Sequence, residues 1–528
     1  MKQVLFFVAL VPILDLFLYG ALFNVWLMPL AAVIFCGWLF VGYRYLWLAR
    51  PMVESVSGWY LGEGIDIYQP EKPIRTKVII EQSMIDLGLL VVGSPSSGKT
   101  LSAGIGLMAY LTNLKRDYRV GFAWHDGKGD KDIYQYACAA GLSFDYFFSS
   151  ELPHSHHMNV FEGGAEDVID RSVRVLINAS EGAGRYYSDE QRRVLTLVVR
   201  LLKSLPEKTT YQDLFVALSV EGADAELLNR ARETDLDPTD IKLAENWLST
   251  DWKTRVSHIA GLLNRLFLFV SGPLSDRLND YHPDIRLADA LTKGQRLYFH
   301  LPLTEMSRDI GILLQEMWAV EARKRQHDGS IRQTYPLLFD DWGGFFHDNV
   351  GPITSRIRSA KMPPTYSFQD DSHIEEVETH FKKKLENNIP VKIAFRTAGA
   401  DAAESVSKWF GAYRATQLGE SSHGNTMGHA LEPRVIHEDL LRLNKGQAYV
   451  MTVNERSGQA EPGYYSVQFP LVPMHDPESI DWPAVSKEKK NDQGLGFWDR
   501  YMNPEVMAKI RQQVKEALLE QLHEEELA

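Results

Sequence analysis

Residues 89–100, LLVVGSPSSGKT, restrict what this chain can fold into more than any other stretch. Four apolar residues run straight into Gly93, Ser94, Pro95, Ser96, Ser97, Gly98, Lys99 and Thr100, which satisfy the pattern GxxxxGK[ST] at every fixed position. Gly93 and Gly98 let backbone N–H groups turn inward around a phosphate, where a side chain would block the approach. Lys99 supplies a point charge for β- and γ-phosphates, and Thr100 a hydroxyl for Mg²⁺. The run that follows, LSAGIGLMAYLTNL, can form a helix whose positive end faces the phosphates. Strand, loop and helix in succession separate this pattern from an ordinary Gly/Ser turn. They predict an α/β fold that binds ATP with Mg²⁺.

A second apolar run, residues 336–339, ends on Asp340 and Asp341. Two acids in a turn are common alone. Downstream of a phosphate loop they form the Walker B arrangement, with Asp340 holding Mg²⁺ and Asp341 orienting or deprotonating the attacking water. The next strand candidate ends at Gln369, a candidate sensor of the γ-phosphate. Between the two, SRIRSAK offers Arg356 and Arg358, either of which could act as an arginine finger across a subunit interface. Residues 119–124 read as another buried strand, with the loop HDGKGD (residues 125–130) at its carboxyl end. Ligands of open α/β sheets sit at strand carboxyl ends, so this loop belongs near the nucleotide.

Residues 166–291 change texture. Segments such as DEQRRVLTLVVRLLKSL and VSHIAGLLNRLFLFV repeat apolar residues at helical spacing, and strand-like sequence resumes only at QRLYFHLPL. This predicts an all-α domain inserted into the α/β domain. Its basic residues, including Arg171, Arg174, Arg185, Arg192, Arg193 and Lys203, could touch DNA but read better as solvated helix faces. His154, His156 and His157 lack metal-ligand spacing and read as an exposed loop. At the front, residues 4–43 are almost wholly apolar, long enough for two membrane spans, with Lys2 before and Arg44 and Arg50 after. That charge placement predicts a hairpin with both ends cytoplasmic. The expected organisation is therefore a transmembrane hairpin (1–50), the nucleotide-binding domain in two parts (51–165 and 293–480), the all-α domain (166–292) and a tail with an amphipathic helix (481–528).

Net charge is −13, from 56 basic and 69 acidic residues, which excludes a protein that coats nucleic acid with its whole surface. Any contact with DNA must come from locally placed positive charge. Only two cysteines occur, Cys36 and Cys138, so no disulfide framework is expected.

The order of these parts resembles the type IV coupling proteins, the TraD/TraG family of conjugation and secretion ATPases. The shared parts are the membrane hairpin, the P-loop, a D-x-K-G-[ED] loop, a helical insertion, the Walker B strand and a glutamine-bearing strand. FRTAGADAAESVSKWFG (residues 395–411) and EDLLRLNKGQAYVM (residues 438–451) are similar to two further family motifs, and HDGKGD resembles the branch that includes DotL and TrbC. The resemblance implies a RecA-like motor anchored in the bacterial inner membrane, with the bulk of the chain in the cytoplasm. It implies a homo-oligomer, a hexameric ring, that feeds DNA, relaxase-type nucleoprotein or effector proteins to the inner-membrane components of a type IV secretion system. It assigns Lys99 and Thr100 to phosphate and metal, Asp340 to metal, Asp341 to the water, Gln369 to sensing, and favours Arg358 as the finger. This chain departs from the family in carrying Asp341 where Glu is usual, in a very short turn between the two spans, and in lacking the long C-terminal extension of some DotL-like members. An FtsK-like double-stranded DNA translocase and a nucleotide-gated membrane receptor are the alternative readings.

Overall fold

The computed structural model describes residues 58–114, 118–177, 184–329, 333–369, 381–421, 424–456, 459–470 and 472–483, with isolated positions beyond. The expected hairpin and the tail helix lie outside these residues. Among those described, no helix is long and apolar enough to cross a membrane.

The centre is one sheet of eleven strands in the order β2-β1-β13-β12-β9-β3-β8-β7-β4-β6-β5. Their ranges are β1 Gly58–Asp66, β2 Ile74–Glu81, β3 Leu89–Val92, β4 Phe122–Asp126, β5 Tyr146–Ser149, β6 Arg296–His300, β7 Leu337–Asp340, β8 Pro364–Phe368, β9 Val391–Ala394, β12 Gln447–Arg456 and β13 Gln459–Gln468. From β9 to β5 every neighbour runs parallel. The remaining strands add antiparallel at the β9 edge. A separate ribbon, β10 Ala412–Ser421 with β11 Gly424–Pro433, pairs only with itself.

The short strands LLVV of β3 and LLFD of β7 are buried at every position, as parallel strands covered on both faces must be. The pleat divides their side chains between two cores. Leu90 and Val92 join one, Leu89 and Val91 the other. The first core is shared with the helical region, where Leu195, Val198, Phe215 and Leu263 pack into the same cluster as Phe339 and Tyr366. Helices Ala165–Leu176, Gly184–Ser204, Tyr211–Ser219, Ala223–Ala231, Pro238–Leu248, Trp252–His258 and Ala260–Val270 follow one another before β6. Capping is explicit in the sequence. Thr210 and Asp213 form a reciprocal capping box, and Asp251 caps Thr254.

Arg171 departs from the expected solvated face. It is 1% exposed, and its guanidinium donates to the carbonyls of Val160 and Glu162. Lys203 donates to the carbonyl between them, Phe161, at 2.6 Å. Two basic side chains from two helices thus satisfy three consecutive carbonyls where the chain leaves the sheet for the helices. The histidine loop also differs from the exposed loop expected. His154, His156 and His157 are half-buried, His157 pairing with Asp280 at 2.9 Å and His156 lying 3.1 Å from the Phe147 carbonyl. Among the described residues no group of three or more His, Cys, Asp or Glu side chains is placed to hold a metal ion.

Candidate active site

The loop after β3 is held at its start from both sides, by the ends of β8 and β9. Gly93 N–H donates to the Phe368 carbonyl at the end of β8 (3.2 Å), and Ser94 N–H to the Arg396 carbonyl just past β9 (2.7 Å). A Cβ at Gly93 would stand 2.7 Å from Phe395 Cβ and 2.8 Å from Ser97 Oγ, so the turn closes only around glycine. Gly98 sits at φ +107°, and its missing Cβ leaves room for the Gly446 backbone, whose N–H donates to the Ser97 carbonyl at 2.8 Å. That contact gives the NKGQ segment a physical role, closing the outer side of the loop. Ser94, Ser97 and Lys99 are buried, while Pro95 and Ser96 cap the outside and Thr100 is part-buried. Lys99 opens a wide helical turn, Lys99–Gly104, that runs into the helix Ile105–Asn113.

Opposite lies the end of β7. Lys99 Nζ meets Asp341 Oδ1 at 2.8 Å, an ion pair joining positions far apart in sequence. Asp341 takes a left-handed conformation (φ +50°), which Asp tolerates better than most residues. The turn is pinned by the Trp342 N–H, which donates to the Ser367 carbonyl on β8 at 2.8 Å. Asp340 is 1% exposed, and neither of its carboxylate oxygens has a hydrogen-bond partner among the described residues. Burial, then the charge of Asp341, push its pKa up. The Ser367 and Thr100 hydroxyls lie near enough to lower it, though neither completes a hydrogen bond with it. A buried carboxylate without partners is costly unless a cation joins it. Two free oxygens beside the Thr100 hydroxyl are the donor set a Mg²⁺ ion takes, so the residues fit that ion.

The 125–130 loop completes the wall. β4 pairs with β7 so that Asp126 stands beside Asp340. Asp126 is fully buried and accepts from the Tyr298 hydroxyl (2.9 Å), Lys128 N–H (3.1 Å) and Gly129 N–H (3.0 Å). Burial, with the neighbouring Asp340 charge second, pushes its carboxyl up to about 8. His300 on β6 reaches across from the Ser149 hydroxyl to the Gly129 carbonyl, 3.0 Å from each. Tyr298 and His300 escaped sequence reasoning. They alternate on one face at the carboxyl end of a strand, and that periodicity was the available signal.

The structure thus brings Lys99, Thr100, Asp340 and Asp341 together. Gln369 lies one residue beyond Phe368, exposed at the same edge of the sheet. Arg358 is elsewhere. It belongs to the helix Val350–Ser359, and its guanidinium donates to the Asn388 carbonyl at the end of the helix Phe381–Asn388. Arg356, on the same helix, is exposed.

No family model matches the chain, and the comparison with curated proteins gives no match. Solved structures do match. The chain is similar to the bacterial conjugative coupling protein TrwBdeltaN70 in its unbound form, at 14% identity and a TM-score of 0.51, over 76% of this chain and 89% of that one. It is similar to the plasmid coupling protein TrwB in complex with ADP and Mg²⁺, at 14% identity and a TM-score of 0.51, over 78% of this chain and 95% of that one. A third structure, TrwB with the GTP analogue GDPNP, gives 15% identity and a TM-score of 0.51 over 75% and 87%. At such identities the likeness is one of fold, a mixed α/β fold built on a large, mainly parallel sheet.

Proposed function

We propose that this chain is an ATP-hydrolysing motor of the type IV coupling-protein kind, which uses ATP to move DNA–protein or protein substrates towards a secretion channel. The observation that carries the reading is the meeting of Lys99 with Asp341 at 2.8 Å beside a buried, unpartnered Asp340. No structural purpose accounts for that expense, whereas a triphosphate and its metal would satisfy every group. Mg²⁺, held by Thr100 and Asp340, would neutralise charge on the β- and γ-phosphates. Asp341, released from Lys99 by the incoming phosphates, would align the attacking water.

The fold likeness to structures described as conjugative coupling proteins, one of them holding ADP and Mg²⁺, supports the same assignment. The apolar residues 4–43 support anchoring in the bacterial inner membrane as a hairpin, and a six-membered ring follows from the family resemblance. Turnover of ATP by the full-length chain in lipid nanodiscs, with and without DNA, tests the proposal, with Lys99→Ala as the control. The expected outcome is Mg²⁺-dependent hydrolysis in the wild type and none in Lys99→Ala, which still folds and still reaches the membrane. Equal turnover by the two proteins would remove the proposal's basis.

A further inference from the structure

The loop HDGKGD carries more constraint than a strand-to-helix turn needs. Gly127 N–H donates to the Asp340 carbonyl at 2.9 Å, and a Cβ on Gly127 would lie 2.7 Å from the Asp341 carbonyl oxygen. The loop is therefore pressed against the Walker B backbone with glycine at the contact. Gly129 holds φ +62°, and a Cβ there would lie 2.4 Å from Pro302 Cβ. Asp126 accepts the N–H groups of both Lys128 and Gly129 from inside, and His300 holds the Gly129 carbonyl from the other side. His300 in turn lies under Trp482, with ring centroids 5.9 Å apart, and the segment leading to Trp482 is tied down by Gln135, which donates to the Ile480 carbonyl at 2.7 Å. Asp126, Gly127 and Gly129 are thus fixed, and the one residue of the loop that is exposed is Lys128.

Lys128 is not committed to a structural partner. Its ammonium rests on Asp130 of the same loop at 2.8 Å, with half of the lysine side chain exposed. Exposed pairs of this sort contribute about 0–1 kcal/mol, so a polyphosphate would displace Asp130 readily. The hydrogen bond that Lys128 donates to Asp130 holds its pKa above the usual lysine range, and the fields of Asp341 and Asp126 add to this. Asp130 has a second task, since its other oxygen caps Asp132 N–H at the start of the helix Lys131–Ala139.

We infer that Lys128 is a further catalytic residue, which leaves Asp130 on nucleotide binding and contacts the γ-phosphoryl group beside Asp341. The inference rests on the site being one for ATP hydrolysis. Lys99 then serves the β–γ bridge from the P-loop side, and Lys128 meets charge developing on the γ-phosphoryl oxygens from the Walker B side. His300 is a positioning residue that acts through Gly129.

The test compares wild type, Lys128→Ala, Lys128→Arg and Asp130→Asn in the full-length chain, measuring ATP turnover and the affinities for ADP and for a non-hydrolysable ATP analogue. Loss of one preorganised charge at the transition state predicts a fall in kcat on the order of 10² for Lys128→Ala. ADP affinity should stay within about twofold while that for the triphosphate analogue drops several-fold, because only the latter carries the γ-phosphate. Lys128→Arg should recover part of the rate. Asn caps a helix as well as Asp, so Asp130→Asn should keep the fold, free Lys128 and bind the analogue at least as tightly as wild type. Wild-type turnover in Lys128→Ala, or equal weakening for ADP and analogue, would overturn the inference. Failure of the wild type to hydrolyse ATP would instead fault the functional reading, and the two affinities would still decide the contact.

Discussion

At the scale of single residues, the two groups proposed for catalysis hold each other. Lys99 and Asp341 occupy each other, their side chains only 5% and 13% exposed, so neither is open to phosphate or water until nucleotide separates them. Asp341→Asn removes the charge that holds Lys99 and also the proposed base. ATP should bind at least as tightly as in wild type, while hydrolysis falls on the order of 10²-fold. Nucleotide affinity and single-turnover rate on the purified variant check this, and an unchanged rate would assign water activation elsewhere. Lys203 gives a prediction in pH. Burial, then repulsion from Arg171, lowers its pKa from 10.5 to about 7. The unfolded chain thus holds a proton between about pH 7 and 10.5 that the folded one has lost, so Lys203 contributes stability at high pH that disappears as pH falls through 7. Lys203→Met should flatten the rise in denaturation midpoint across that window, and parallel wild-type and variant profiles would contradict it.

At the scale of elements, the passage from sheet to helices rests on cations that belong to the backbone. Removing the Arg171 side chain, 1% exposed, would strip the carbonyls of Val160 and Glu162 of their donor and leave a cavity. Arg171→Ala should cost about 3 kcal/mol or more, read as a lowered denaturant midpoint, with the Lys99–Asp341 end of the sheet unaffected in nucleotide binding. A loss below about 1 kcal/mol would show that the carbonyls find other partners. Arg171 also marks the limit of sequence reading. Periodicity identifies the helix but not whether a basic residue on it faces solvent or a carbonyl contributed by a distant turn. The P-loop and Walker B residues were legible because their types are dictated by phosphate and metal wherever they occur. Tyr298, His300 and Gly446 were not, because their roles arise only when β6 pairs with β4 and when the NKGQ turn meets Gly98. β3 and β7 were legible as buried strands from short apolar runs, yet nothing in those runs says that β8 lies between them.

At the scale of the whole molecule, the placement of Arg358 bears on what the proposed motor would need from neighbouring copies. Its guanidinium donates to the Asn388 carbonyl of the same chain, where the helix Val350–Ser359 meets the end of the helix Phe381–Asn388, so its partner there is a backbone carbonyl. Exchanging one neutral carbonyl for a γ-phosphate is favourable for a guanidinium, and an arginine finger supplied in trans accelerates hydrolysis about 10³–10⁵-fold. If Arg358 is that finger, activity should belong to the proposed ring. Turnover of the full-length chain should rise more steeply than linearly with its surface density in nanodiscs, because each added neighbour raises the chance of a complete interface. The decisive experiment mixes two inactive proteins, Lys99→Ala and Arg358→Ala. Wherever an Arg358→Ala subunit presents its intact P-loop to the intact finger of a Lys99→Ala neighbour, one interface is whole, and part of the activity should return. Arg358→Lys should not be rescued by itself, since an ammonium keeps the charge but loses the planar fork that meets two phosphate oxygens at once. Linear density dependence with no recovery on mixing would leave Arg358 as what it is within one subunit, a clamp between two helices, and would send the search for the finger to the exposed Arg356 on the same helix.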